Sequence, residues 1–147
     1  MRAVMDPSAV THMTGRHTSF APGLANTLGL LLIVRVLLTH IGVARTVRIL
    51  DRFRGHVVPE APCRACLDLT AHRIAVAGAL FPGRARCLEQ SLVLWCALRR
   101  HGLSVALHLG VRPDRPTAHA WVEHGGYAIG QSQEALDRLV RLPVLVS

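Results

Sequence analysis

Apolar positions along the chain form one long block, then two stretches at helical spacing, then a switch to strict alternation. From Leu24 to Leu50 apolar residues run almost without a break, with Leu30-Leu31-Leu32-Ile33-Val34 followed by Arg35 and Val36-Leu37-Leu38, and the stretch reads as one helix. A membrane span needs about 20 predominantly apolar residues, and Arg35, His40, Arg45 and Arg48 interrupt this run. A core helix fits best, with docking of its surplus apolar face to a membrane surface or a partner as the alternative. Gly55, Pro59 and Pro62 mark residues 54–62 as a linker. Between Cys66 and Leu80 the residues Leu67, Ala71, Ile74, Ala75 and Gly78 share one helical face, and Phe81-Pro82-Gly83 ends the element. A further helix is predicted from Cys87 to His101 through Leu88, Ser91, Leu92, Trp95 and Leu98, with Arg99 and Arg100 suited to the dipole at its end.

After Gly102 the period becomes two. Val105, Leu107, Leu109 and Val111 alternate with Ala106, His108 and Gly110 as in a half-buried strand, which Pro113 and Pro116 end. Ala118–Glu123 and Tyr127–Ile129 flank His124-Gly125-Gly126 and read as a hairpin, and Glu134–Leu142 as a short helix closed by Pro143. Residues 1–22 mix Asp, Pro, Ser, Thr, His and Gly without periodicity and read as a flexible extension. Residues 23–58 form an N-terminal apolar helix region, and residues 63–147 a helix-then-sheet domain. The fold class is therefore α+β.

Composition narrows the function classes. At 147 residues and 50% apolar content the chain is one domain with material for a core. It carries 17 basic and 9 acidic residues, and every basic one is Arg, which excludes lysine chemistry. The arginines are scattered, with only Arg99 and Arg100 adjacent, so no dedicated nucleic-acid patch is expected. Three Phe, two Trp and one Tyr leave few rings for base stacking. Four cysteines are too few for a disulfide-dense secreted scaffold and no cleavable signal peptide opens the sequence, so a cytoplasmic setting is expected, with membrane association through the apolar helix as the variant.

Candidate chemistry centres on Cys87. It stands in the first turn of a predicted helix, where unpaired N–H groups and the positive dipole end favour a thiolate. Taken alone it reads equally as a small buried apolar residue. His119, on a strand that packs against this helix, is the candidate base, and Gln131, beyond the Gly125-Gly126 turn, is the candidate third group that would orient the imidazole. Trp121 is expected on the opposite side of its strand from His119, as packing. Cys96 reads as core. Cys63 and Cys66 form C-x-x-C, compatible with a zinc half-site that His56 or His72 would have to join, or with a redox pair. No second ligand pair accompanies them, so incidental free thiols are the expectation, and neither a metal nor a cofactor is assigned.

Arg86-Cys87-Leu88-Glu89-Gln90-Ser91-Leu92, Leu98-Arg99-Arg100-His101-Gly102, Leu109-Gly110-Val111-Arg112 and Ala118-His119-Ala120-Trp121-Val122-Glu123 occur in order. In these segments the chain resembles the lasso-peptide leader peptidases, the transglutaminase-like B proteins of lasso-peptide biosynthesis. The likeness covers roughly Pro82 to Pro143, and the apolar helix before Arg54 is also similar to that family's N-terminal portion. It implies a transglutaminase-like (papain-like) core with the nucleophile at a helix N-terminus on a small antiparallel sheet, preceded by N-terminal helices. It also implies a cysteine protease that cuts the leader from a ribosomally made precursor peptide. Implied partners are a small leader-recognition protein and an asparagine-synthetase-like cyclase that closes the macrolactam. The family's Cys and His map onto Cys87 and His119, while its acid position holds Gln131. A neutral amide orients an imidazole without adding a full charge. The competing reading is a catalytically impaired binding or scaffold protein that presents the precursor to the cyclase.

Overall fold

The computed structural model describes residue 20 and residues 22–56 and 62–143. The expected extension over residues 1–22 lies almost wholly outside them, as does the middle of the expected linker, residues 57–61. The described residues form helices α1 (Leu24–Asp51), α2 (Arg64–Leu80), α3 (Cys87–Arg100) and α4 (Gln133–Asp137). With them go strands β1 (Ala106–Val111), β2 (Ala118–His124), β3 (Tyr127–Ala128) and β4 (Val140–Arg141), joined as one antiparallel sheet in the order β3-β2-β1-β4.

α3 is the central element because it is apolar on nearly every side. Leu92, Val93, Trp95 and Leu98 are fully buried, and the Trp95 indole N–H donates to Val105 O at 3.2 Å. α1 supplies Leu31, Val34, Val47 and Leu50 to the same core, α2 supplies Leu67, Ile74 and Ala77, and the sheet supplies Leu107 and Val122. Filling one core from three helices and a sheet face removes several large side chains from water, each contributing about 1.5–3 kcal/mol.

The expectation of one continuous helix from Leu24 to Leu50 needs correction. α1 breaks at Gly42, which adopts φ 76° and ψ 173°. Without a Cβ this residue takes a positive φ at little steric cost, and Thr46 Oγ1 donates to its carbonyl at 2.8 Å as the second helical segment starts. α1 is also, among the described residues, the helix long and apolar enough by length and composition to cross a membrane. Leu24, Leu32, Ile33 and Val36 on its outer side are exposed, whereas Leu31 and Val34 are buried.

Three other expectations change. The predicted helix to Leu142 stops at Asp137, and Val140–Arg141 pair instead with Gly110–Val111, while the Leu142 N–H donates to Leu109 O at 2.9 Å. An open strand edge with unpaired N–H and C=O groups outcompetes further turns of a short helix. Trp121 shares the face of His119, as residues i and i+2 of a strand must, and the two rings stack with centroids 6.3 Å apart. It is indeed packing, because it is 1% exposed and lies in a small cluster with Ala128 and Leu136. Cys63 and Cys66 are not free thiols; they form a disulfide, and Cys63 Sγ also accepts the Cys66 N–H at the start of α2.

β1 is covered on both faces rather than one. His108 is buried and its Nε2 lies 3.2 Å from Glu123 Oε2, while Glu123 Oε1 accepts from Arg141 and from the Trp121 indole. Arg99 likewise serves the interior rather than the end of α3, with Nη2 bonded to Asp51 Oδ1 at 2.7 Å and its guanidinium over the Trp95 ring.

Candidate active site

Cys87 is the first residue of α3, and the loop before it is pinned from α1. Arg35 Nη1 donates to Pro82 O at 2.7 Å and Nη2 to Arg84 O at 2.9 Å, while its guanidinium grips both oxygens of Glu89 at 2.9 and 3.0 Å. The same cation lies over the Phe81 ring. Glu89 Oε2 in turn accepts the Arg86 N–H at 2.7 Å, satisfying one of the orphan donors at the start of α3. Arg35 holds the Glu89 carboxyl below the usual carboxylate range, first through the hydrogen bond and then through its charge, against the opposing effect of burial. Arg35, which in the sequence only interrupts an apolar run, is thus the clamp on the loop that delivers the thiol.

One turn into α3, Ser91 Oγ donates to Ala120 O at 2.8 Å and docks the helix onto β2. This contact sets the relative position of Cys87 and His119. The Cys87 thiol is half-buried and approaches Ala118 O, on the residue before His119, at 3.8 Å, and the thiol and the imidazole line the same cleft. The neighbouring His119 imidazole lowers the thiol below its ordinary range, aided by the backbone at Ala120 and Leu88, while burial works against it. Reciprocally, His119 is raised by the neighbouring Cys87 and then by its hydrogen bond to Gln131, with burial opposing. Gln131 Oε1 stands 3.3 Å from His119 Nε2, which leaves Nδ1 as the ring nitrogen available to the thiol. The three side chains singled out in the sequence therefore meet at one end of the sheet. Cys96 is elsewhere, buried within α3, and burial pushes its thiol up.

The trio opens into a cleft of about 240 Å³ between α2, α3 and the sheet, with Asp68, His72, Gln90, Ser91 and Gly130 among its walls. Among the described residues no three His, Cys, Asp or Glu side chains cluster closely enough to hold a metal ion. The arrangement has the parts of thiol acyl transfer: a thiol lowered below its ordinary range, an imidazole lining the same cleft and an amide orienting that imidazole.

A family model described as the transglutaminase-like superfamily matches residues 30–144, most of α1 and everything described after it. The chain belongs to the transglutaminase-like superfamily. Members of this superfamily commonly carry cysteine protease or transferase activity, and helices leading into a small antiparallel sheet are its architecture. No curated protein and no solved structure matches the chain significantly.

Sequence reasoning missed Arg35, Glu89 and Asp68. Only Glu89, three residues after Arg86 at a helix start, carried a local signal, that of a capping acid.

Gln131 also gives a direct prediction. In Gln131→Asp the added negative charge beside Nε2 should raise the His119 pKa further, read as a later ring titration by NMR. If charge on the imidazolium limits turnover, this variant is also faster than the parent. An unchanged His119 titration would show that residue 131 does not bond the ring in solution.

Proposed function

We propose that this transglutaminase-like protein is a cysteine peptidase that removes the leader from a ribosomally synthesised lasso-peptide precursor. The observation that carries the reading is that Cys87, His119 and Gln131 line one cleft at the start of α3, with Gln131 Oε1 3.3 Å from His119 Nε2. The segments around Cys87 and His119 that resemble the leader peptidases support the choice of substrate.

In this mechanism His119 takes the proton of the Cys87 thiol, and the sulfur attacks the carbonyl at the leader–core junction. The Cys87 N–H, at a helix start where it has no intrahelical acceptor, stabilises the developing oxyanion. Collapse of the tetrahedral adduct breaks the C–N bond, and the His119 imidazolium gives its proton to the departing core amine. Water, deprotonated by the same imidazole, then cleaves the thioester and releases the leader as a carboxylic acid. Cys87, His119 and Gln131 are the catalytic residues of this proposal. A small leader-recognition protein delivers the precursor, and the freed amine passes to an asparagine-synthetase-like cyclase. Cytoplasmic action, with the exposed apolar side of α1 available to a membrane surface, completes the proposal.

The test is to incubate the protein with the precursor peptide and leader-recognition protein encoded beside it and read the products by mass spectrometry. Leader and core fragments separated at one bond, with one water added, are expected. Intact precursor that nevertheless binds the protein would favour the presenting scaffold instead.

A further inference from the structure

Asp68 lies on α2, opposite the Cys87 and His119 elements, and none of the chemistry above uses it. Its two carboxylate oxygens point at one short segment. Oδ2 accepts from the Tyr127 hydroxyl at 2.6 Å, and Oδ1 accepts the backbone N–H of Gly130 at 2.8 Å. The residue after Gly130 is Gln131, whose amide oxygen meets His119 Nε2.

The surroundings of Asp68 repeat the same contact along one face of α2. Arg64, Asp68 and Ala71 stand at i, i+4 and i+7, the spacing of one helical stripe. The Arg64 guanidinium lies over the Tyr127 ring at 4.5 Å. Gly130 has φ +67°, and a Cβ built there would come within 2.8 Å of the Ala71 Cβ, so glycine is what lets the segment lie directly on α2. On the other side of Gln131, Ser132 Oγ caps α4 by accepting the Ala135 N–H. Gln131 is itself exposed, and its reach to the ring follows from where the backbone at both sides places it. Asp68 also favours the neutral phenol, raising Tyr127, as a carboxylate that accepts its proton should.

We propose that Asp68 is a positioning residue of this site, an acidic tether that holds the Tyr127–Gly130 segment on α2 so that Gln131 meets His119. It thereby takes a share of the role that a triad acid fulfils by direct contact, acting one residue removed through a neutral amide. The proposal rests on the reading of Cys87, His119 and Gln131 as the catalytic group, but its test needs no peptide substrate.

Two readouts on the intact chain suffice: the ¹⁵N resonances of the His119 ring, assigned by their loss in His119→Ala, and the alkylation rate of Cys87 near neutral pH followed by peptide mapping. In Asp68→Ala the His119 Nε2 resonance should move to its position in Gln131→Ala, and Cys87 should react about fivefold more slowly, the scale of one lost hydrogen bond. In a Gln131→Ala background the Asp68 change should add nothing, because both act through one contact. Asp68→Asn keeps one acceptor and should fall between the parent and the alanine variant; with Tyr127→Phe it carries the test if Asp68→Ala does not fold. A folded Asp68 variant with a parental His119 ring, or an equal effect of Asp68→Ala in both backgrounds, would overturn the tether. A protein that shows the His119–Gln131 coupling and its loss in Asp68→Ala yet cleaves no precursor would overturn the peptidase reading alone.

Discussion

Cys87→Ala should release no leader above background, a loss of at least about a thousandfold relative to the parent protein. Alanine retains the helix start, the Cys87 N–H and the Arg35–Glu89 clamp on the preceding loop, so binding and fold persist while the bond-forming atom is gone. The loss belongs to the chemical step rather than to stability. Equal leader release by the two proteins in a mass-spectrometric time course would remove the thiol from the mechanism. A variant that still binds precursor with parental affinity but cleaves none of it is the specific expectation.

His119→Ala should have the next largest effect, on both cleavage and the intrinsic reactivity of the thiol. The imidazole is the main influence that lowers Cys87, and Cys87 is the main influence that raises His119. The thiolate–imidazolium pair therefore forms as pH rises through the depressed Cys87 value and is lost as pH rises further through the elevated His119 value. Between those limits both charged partners coexist, so cleavage should follow a bell whose two limbs belong to the pair rather than to either residue. Removing the imidazole returns the thiol to an ordinary range near 8.5, so alkylation near neutral pH should slow by about tenfold or more. Burial, opposed then only by the backbone at Ala120 and Leu88, pushes in the same direction. A parental alkylation rate in His119→Ala would mean that the helix start alone activates the sulfur.

How much of this was legible in the sequence depends on whether a contact is local or distant. Periodicity places the helix that starts at Cys87, because the Pro82-Gly83 break and the apolar spacing lie within one window, and the alternation from Val105 to Val111 marks β1 for the same reason. The β2–β3 hairpin follows from its Gly125-Gly126 turn, where both residues have positive φ. Contacts across the fold leave no such trace. Arg35 and Glu89 are 54 residues apart and Asp68 and Gly130 are 62 apart, and no spacing rule says which helix face meets which loop. Arg35 therefore read only as an interruption of an apolar helix, and Asp68 drew no reading at all. Local rules also lose where tertiary pairing competes with them. Val140 and Arg141 leave a helical pattern to extend the sheet, and Gly42 breaks a helix that hydropathy alone runs straight through. The bridge between Cys63 and Cys66 required geometry, since their spacing is equally that of a metal half-site or two free thiols.

The most direct single measurement is the pH dependence of Cys87 alkylation in the parent protein, followed by peptide mapping so that Cys96 serves as an internal reference. The account predicts a Cys87 midpoint below about 8.5, the ordinary thiol value, with Cys96 unlabelled while the fold persists. A Cys87 midpoint at or above that value would contradict a thiol activated by His119.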